Sequence, residues 1–162
     1  MTPLSLAQIL DAARETIIEA GFCFMITLDD KGYPSARLMQ PFPPEDDLSI
    51  YFGASSDSRK VREILADPRV TLGYPLPDQG AYVSLAGTAS LISDPAIKLR
   101  YWRESFAEFW PNGPQDEGYA VIRFEPQRIE LMNFSKKIAP EPYGLKAAVL
   151  VRENGVWRIE YA

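Results

Sequence analysis

The chain has 162 residues, of which 46% are apolar, and a formal net charge of −5. These values are typical of one soluble domain spanning residues 1–162, and the acidic balance argues against nucleic acid or an anionic membrane as partner. The sequence contains no histidine. Histidine-based dyads and triads and the commonest ligand of zinc, copper and haem are therefore excluded, and no metal site is predicted.

The sequence carries neither a targeting nor a disulfide signal. The first residues lack the basic start and apolar core of a signal peptide, and no apolar run is long enough to cross a bilayer. The single cysteine, Cys23, lies between Phe22 and Phe24, which predicts a buried hydrophobe and rules out an internal disulfide. We therefore expect a cytoplasmic protein.

The first predicted element is an amphipathic helix over residues 5–20, with a capping box at Ser5 and Gln8 and a glycine stop at Gly21. Short runs rich in β-branched and aromatic residues then predict antiparallel strands. These runs lie at residues 22–28, 33–42, 48–53, 69–76, 81–93, 119–124 and 128–134. The first strand is nearly all apolar, which predicts burial on both of its faces.

Further elements interrupt and follow these strands. A short helix is predicted at 58–66, and a second begins at Asp94-Pro95 and carries a broad aromatic face as far as Phe109. Gly87 predicts a β-bulge or the close approach of another backbone. Residues 135–144, rich in proline and charge, predict a surface excursion, and 147–162 predict a terminal hairpin around Asn154-Gly155.

One segment has the composition of an anion site. The strand at 48–53 is followed by a turn of small polar residues and then by a helix start that carries Arg59 and Lys60. Free N–H groups at the helix start, with the hydroxyls of Ser55, Ser56 and Ser58, favour phosphate. A capped surface helix with solvated basic side chains is the alternative.

Arg37 adds a second cation to this picture. It follows Ser35 and Ala36 in a predicted strand, where a buried guanidinium needs an anionic partner. Arg37 and Lys60 then converge on one phosphate, or a glutamate of the chain pairs with Arg37. The residue pattern leaves both options open.

Four segments together resemble the pyridoxamine-phosphate-oxidase-like superfamily, and specifically its general stress protein branch. They are ARLMQP, LSIYFGASSDSRKVREI, AYVSLAGTASLI and YAVIRFEPQRIEL, in the order and spacing of that family over about residues 5–134. The resemblance implies a mainly β (α+β) fold, a six-stranded antiparallel split β-barrel with flanking helices. It also implies a homodimer with FMN sites at its interface. Residues 135–162 are an extension or hairpin outside the resemblance.

The resemblance also implies roles for individual residues. The phosphate is gripped by Arg37, Ser58, Arg59 and Lys60. The isoalloxazine ring runs along the backbone of Leu38, Met39 and Gln40, beside a wall of Phe52, Gly53 and Ala54. Tyr82 contacts the flavin, and Trp110 stacks on the ring from the partner subunit. The chain departs from the family at Ala54, where members often carry threonine, and at Phe42, where the oxidases carry lysine.

The function implied is that of a flavin-dependent oxidoreductase or redox-responsive stress protein, with a small-molecule substrate that the sequence does not identify. A chain without histidine lacks the Arg-x-His signature of the true oxidases, so vitamin B6 oxidation is not expected. The alternatives are a deazaflavin-dependent reductase, an FAD-binding protein, a non-catalytic flavin module and a barrel that has lost its cofactor. No catalytic residue is predicted.

Overall fold

A computed structural model describes residues 3–139, 141–142 and 145–160. The helices are α1 (Leu6–Ala20), α2 (Arg59–Ala66) and α3 (Pro95–Arg100). The strands are β1 (Cys23–Leu28), β2 (Pro34–Met39), β3 (Ile50–Ser55), β4 (Arg69–Leu76), β5 (Ala81–Ile92), β6 (Tyr119–Asn133), β7 (Ala148–Glu153) and β8 (Val156–Glu160). Within the described ranges, no helix is long and apolar enough to cross a membrane.

All strand pairs are antiparallel, and the sheet does not close. Its order is β2-β1-β4-β5-β6-β7-β8, and β3 pairs with β6 outside this path. The first half of β6 pairs with β3, from Ser55↔Tyr119 to Ile50↔Phe124, and the second half pairs with β7. Strands β1 to β6 form the predicted split barrel, and the hairpin of β7 and β8 extends one side of it.

The two strands predicted at 119–124 and 128–134 are one continuous strand, β6. Opposite β5 its register shifts, because Ala86 pairs with Arg128 whereas Gly87 pairs with Pro126. A Cβ on Gly87 would lie 2.0 Å from the carbonyl oxygen of Glu125. The prediction of a bulge and of a close backbone approach at Gly87 is confirmed.

The predicted helix cap near the start of the chain and the predicted hairpin turn near its end are both present. The Ser5 hydroxyl accepts from Gln8 N at 3.2 Å, and the Gln8 side chain accepts from Ser5 N at 2.8 Å, which completes the capping box of α1. The β7–β8 turn places Asn154 and Gly155 at φ angles of 50° and 76°, as a two-residue hairpin turn requires. Residues 161–162 of the predicted hairpin lie outside the described residues.

Burial of β1 on both faces was a wrong prediction. Its inward side chains, Cys23 and Met25, are fully buried, but the Phe24 side chain is 44% exposed. Phe24 pairs with Leu38 on β2, which is 62% exposed, so the outward face of β1 is uncovered within one chain. An apolar strand sequence does not show whether a face is buried within its own chain or is exposed and free to pack against another chain.

The helix predicted from Asp94 to Phe109 was also wrong in its extent. Helix α3 ends at Arg100, and a 3-10 turn follows at Glu104–Glu108. The chain leaves the helix because the Tyr101 ring stacks on Tyr51 with centroids 4.1 Å apart, while the Tyr101 carbonyl accepts from the Tyr119 hydroxyl at 2.6 Å. We call the rings gathered here the aromatic cluster: Phe42, Tyr51, Tyr101, Trp102, Phe106, Trp110 and Tyr119.

The predicted surface excursion at 135–144 lies only partly at the surface. Ile138 and Ala139 are buried, because Ile138 forms a β-bridge with the buried Asn133. Residues 140, 143 and 144 lie outside the described residues. Proline and charge in this segment indicated exposure, but the buried side chains of Ile138 and Ala139 attach it to the sheet.

Candidate functional site

The predicted anion site lies where β3 ends and α2 begins. Ser58 is the N-cap of α2, yet its side chain makes no capping hydrogen bond. Its Oγ atom is buried and has no partner among the described residues. An unpaired buried hydroxyl costs about 1–3 kcal/mol, and the first N–H groups of a helix also lack intrahelical acceptors. These donors are available to an anion at the start of α2.

Arg37 extends from β2 toward α2 and is held by Thr27, which the sequence did not indicate, and by a glutamate, which was one of the two open options. Its Nη1 donates to Thr27 Oγ1 at 2.6 Å, and its Nη2 lies 3.2 Å from Glu63 Oε2. Thr27 donates in turn to the same carboxylate oxygen at 2.5 Å. In this structure Arg37 therefore has the glutamate partner that was the alternative to a phosphate.

Arg59 also contacts the buried Glu63, from the solvent side. Its Nε lies 3.2 Å from Glu63 Oε1, an ion-pair distance without hydrogen-bond geometry, and its Nη2 donates to Ser35 Oγ at 2.7 Å. The Arg59 side chain is 64% exposed, whereas that of Arg37 is 18% exposed. Glu63 thus holds one buried and one solvent-facing guanidinium. A glutamate four residues after Arg59 was the available sequence signal.

Lys60 is the third cation and has no counter-charge of its own. It is partly buried, and among the described residues it forms no side-chain hydrogen bond or ion pair. Burial lowers its pKa, and the nearby charge of Arg37 lowers the pKa further. We call Arg37, Ser58, Arg59, Lys60 and Glu63 the cradle. The cradle combines three cations with one carboxylate, which leaves two positive charges unmatched.

The predicted ring-binding segment on β2 lies at a free edge of the sheet. Strand β2 is the first in the sheet order and pairs only with β1. Leu38 is exposed on the outward face, Met39 packs against the core, and Gln40 is exposed just beyond the strand. An edge strand presents unpaired backbone donors and acceptors. Leu38, Met39 and Gln40 can therefore offer backbone groups to a planar polar ligand.

The predicted wall on β3 differs from a ligand-facing surface. Phe52 is fully buried and Ala54 is 3% exposed, so both side chains belong to the barrel core. Gly53 faces the aromatic cluster, and a Cβ there would lie 2.6 Å from Phe106 Cε2. Only the backbone of this segment is available to a ligand.

Tyr82 and Trp110 are not brought into the cradle of their own chain. Tyr82 is on the outward face of β5, and β1 and β4 separate it from β2. Trp110 packs in the aromatic cluster, with its ring 5.0 Å from that of Tyr119. It also lies beside Gly118, whose carbonyl accepts from Ser56 N in the turn before α2. Trp110 is thus adjacent to the cradle turn, whereas Tyr82 faces away from it.

A comparison with protein families identifies the chain. Residues 9–149 match the family described as pyridoxamine 5'-phosphate oxidase like. The chain belongs to this family. The matched range contains every residue of the cradle and all of the other predicted flavin contacts, and it ends in β7, beyond residue 134, where the resemblance was expected to end.

Similar proteins agree with this assignment to the oxidase-like family. General stress protein 26 of Bacillus subtilis is 36% identical over 110 residues, which cover 66% of this chain and 76% of that protein. An FMN-binding, oxidase-related protein from Nostoc punctiforme superposes with a TM-score of 0.77 at 17% identity, over 99% of this chain and 98% of that one. A Clostridium acetobutylicum protein related to general stress protein 26 gives a TM-score of 0.74 at 15% identity, over 94% of this chain and all of that one. The split-barrel fold is therefore confirmed.

Proposed function

We propose that this chain binds FMN with the terminal phosphate in the cradle, and that it acts as a flavin-dependent oxidoreductase on a small molecule. The observation that carries the proposal is the pair of unmatched positive charges beside the unpaired Ser58 hydroxyl. A phosphate monoester carries about −1.5 to −2 charges near pH 7 and accepts several hydrogen bonds. The start of α2 supplies the backbone donors that such an anion prefers.

Each part of the site has a separate task in this proposal. Lys60, Arg59 and Ser58 bind the phosphate, while Glu63, Thr27 and Ser35 fix the directions of the two guanidinium groups. The free β2 edge at Leu38 to Gln40 binds the polar margin of the ring, and β3 offers only backbone at Phe52 to Ala54. The flavin, when bound, supplies redox chemistry; the chain's residues bind it, orient it and shield it from water.

The proposal includes a homodimer. Phe22, Phe24 and Leu38 are 48%, 44% and 62% exposed on the outward side of β1 and β2. An isologous contact covers such an apolar patch in both subunits at once. In the dimer, Tyr82 and Trp110 are the proposed flavin contacts supplied to the other subunit's site. The proposed location is the cytoplasm, in keeping with a single, fully buried cysteine.

The number of cations in the cradle favours FMN over cofactors with longer anionic tails. Arg62, the next basic side chain of α2, donates to the carbonyl of Asp57 and does not extend the cradle. FAD or a deazaflavin with a longer tail requires further basic contacts. Binding of either with higher affinity than FMN supports the corresponding alternative. Turnover of reduced nicotinamide by the FMN-bound protein separates an enzyme from a flavin-storage module.

Titration with FMN and riboflavin tests the cradle directly. Lys60→Met removes one charged hydrogen bond, worth about 1.5–3 kcal/mol, so we expect FMN to bind roughly 10- to 150-fold more weakly. Riboflavin lacks the phosphate, and its affinity should be the same in the variant and the wild type. Lys31→Met, in the exposed β1–β2 turn, is the matched control. Equal affinities of wild type for FMN and riboflavin overturn the assignment.

A further inference from the structure

A second concave site lies between α3 and the 3-10 turn at Gly113–Gln115. This cleft has a volume of about 330 Å³ and is lined by three polar and three apolar residues: Ser93, Lys98, Gln115, Pro95, Leu99 and Pro114. None of the six belongs to the cradle or to the aromatic cluster. The volume falls at the lower end of the range of small-molecule sites.

Lys98 is the one charged residue among the described residues that line the cleft, and none of them supplies a counter-charge. Its Nζ donates to the carbonyl of Asp116 at 3.2 Å and lies 5.5 Å from the centroid of the Tyr119 ring. Within the described part of the chain, no carboxylate lies at ion-pair distance from Lys98. The positive charge that Lys98 brings to this side of the cleft is therefore not balanced by a carboxylate of the described residues.

The two carboxylates closest in sequence to the cleft are committed to backbone amides. Asp94 caps α3 by accepting from Ala96 N at 2.8 Å. Asp116 accepts from Gly118 N at 2.9 Å and from Asn112 N at 3.2 Å. Because both carboxylates are held in these turns, neither is available to compensate Lys98. The charge of Lys98 stays unpaired because the turns at Asp94 and Asp116 use these carboxylates for backbone hydrogen bonds.

We propose that this cleft binds a small monocarboxylate with a compact apolar body, such as an aromatic acid. Lys98 pairs with the carboxylate, and the Ser93 hydroxyl and Gln115 amide add hydrogen bonds to it. Pro95, Leu99 and Pro114 contact the apolar body; the Leu99 side chain is 65% exposed and so is accessible to it. A single cation matches a monoanion and not the phosphate dianion proposed for the cradle.

The cleft and the cradle are separate sites joined by one strand end. Tyr119, over which Lys98 lies, pairs with Ser55 in the β3–β6 ladder. Ser56, the next residue, donates its N–H to Gly118 at 2.9 Å. The inference does not depend on FMN binding, because no lining residue is shared with the cradle.

Benzoate and its neutral analogue benzamide are the probes for the experiment. Amide proton–nitrogen NMR spectra of the full chain are recorded in phosphate buffer during titration with each compound. We expect benzoate to shift resonances of residues 93–99 and 113–118, and benzamide to bind at least tenfold more weakly, as loss of a charged hydrogen bond predicts. Lys98→Met should weaken benzoate binding about tenfold or more, and Lys31→Met should not.

Three outcomes overturn the proposal. They are equal affinities for benzoate and benzamide, unchanged benzoate affinity in Lys98→Met, and shifts confined to Ser58–Lys60, which indicate that benzoate occupies the cradle. The Lys60→Met variant separates this test from that of the proposed function. It should bind benzoate like the wild type even if FMN binding is lost or was never present.

Discussion

The aromatic cluster and the cradle both adjoin β3, but they differ in how many of their side chains have interaction partners within the chain. In the cluster, neighbouring rings meet with centroids 4.1 to 6.3 Å apart, in stacked, tilted and edge-to-face geometries. In the cradle, the Ser58 hydroxyl and the Lys60 ammonium have no hydrogen-bond or ionic partner among the residues that the structure describes. The cluster packs within the one chain, whereas the cradle leaves a hydroxyl and a cation for the anion that we propose it binds. Polar and charged groups without partners in the chain are expected at functional sites more often than elsewhere.

The most strongly destabilising test of this difference removes the one anion in the cradle. Glu63→Gln keeps the volume but leaves the Arg37 guanidinium, 18% exposed, without a carboxylate. Breaking a buried ion pair from one side costs about 3 kcal/mol or more, and we expect a loss near 3 kcal/mol in urea unfolding. Glu104→Gln, at an exposed position, is the control. A loss equal to that of the control shows that Glu63 does not support the cradle.

An intermediate effect is expected from overfilling the aromatic cluster. Gly53→Ala places a Cβ 2.6 Å from the Phe106 ring, and overpacking of this kind costs about 1–3 kcal/mol. Phe106→Leu in the same chain should recover part of that loss, because it removes the atoms that the new Cβ meets. Urea unfolding of the two single variants and the double variant gives the coupling. Strict additivity contradicts the close contact between Gly53 and Phe106.

The smallest effect is a gain in stability in the absence of flavin. Burial and the Arg37 charge lower the pKa of Lys60 below its usual 10.5, so the folded chain disfavours the charged form. Lys60→Met should therefore raise the free energy of unfolding at pH 7, by less than about 1 kcal/mol. The same substitution is thus expected to increase the stability of the flavin-free protein and to decrease its affinity for FMN.

The stability gain expected for Lys60→Met should depend on pH. Between the lowered pKa of Lys60 and its usual value, the unfolded wild-type chain binds more protons than the folded chain. Wild-type stability therefore rises with pH across that window. Lys60→Met lacks this rise, so its advantage should shrink from pH 7 to pH 10 in urea unfolding, whereas Lys31→Met should follow the wild type. An advantage that does not change with pH contradicts the proposed origin.

Local signals in the sequence were sufficient for much of the fold. The capping box at Ser5 and Gln8, the turn at Asn154-Gly155 and the bulge at Gly87 each depend on neighbours in sequence or on backbone freedom, and all three are present. The order of basic and small residues around Ser58, with the resemblance to the oxidase-like family, placed the cradle. The capping box, the turn and the bulge are encoded within a few residues of where they act, whereas the cradle also needs Arg37 from β2.

The wrong and missing predictions concern contacts between distant segments. The exposure of Phe24 depends on its pairing with Leu38, and the early end of α3 depends on the packing of Tyr101 against Tyr51. Glu63 meets Arg37 across 26 residues, and no periodicity within either segment reports that contact. Both phosphate and glutamate remained open as partners of Arg37 in the sequence, because only the tertiary fold brings α2 to β2.

The pairing of β3 with β6 joins the strand before the cradle to a segment that is synthesised much later. All the cradle residues lie in the first half of the chain, but Ser55, at the end of β3, has its ladder partner at Tyr119. A nascent chain that has not yet reached Tyr119 contains every cradle residue and no strand to hold β3 in register. Contacts between distant segments also form slowly. We therefore expect β3, and with it the start of α2 at Ser58, to reach its final register only after Tyr119 has been synthesised.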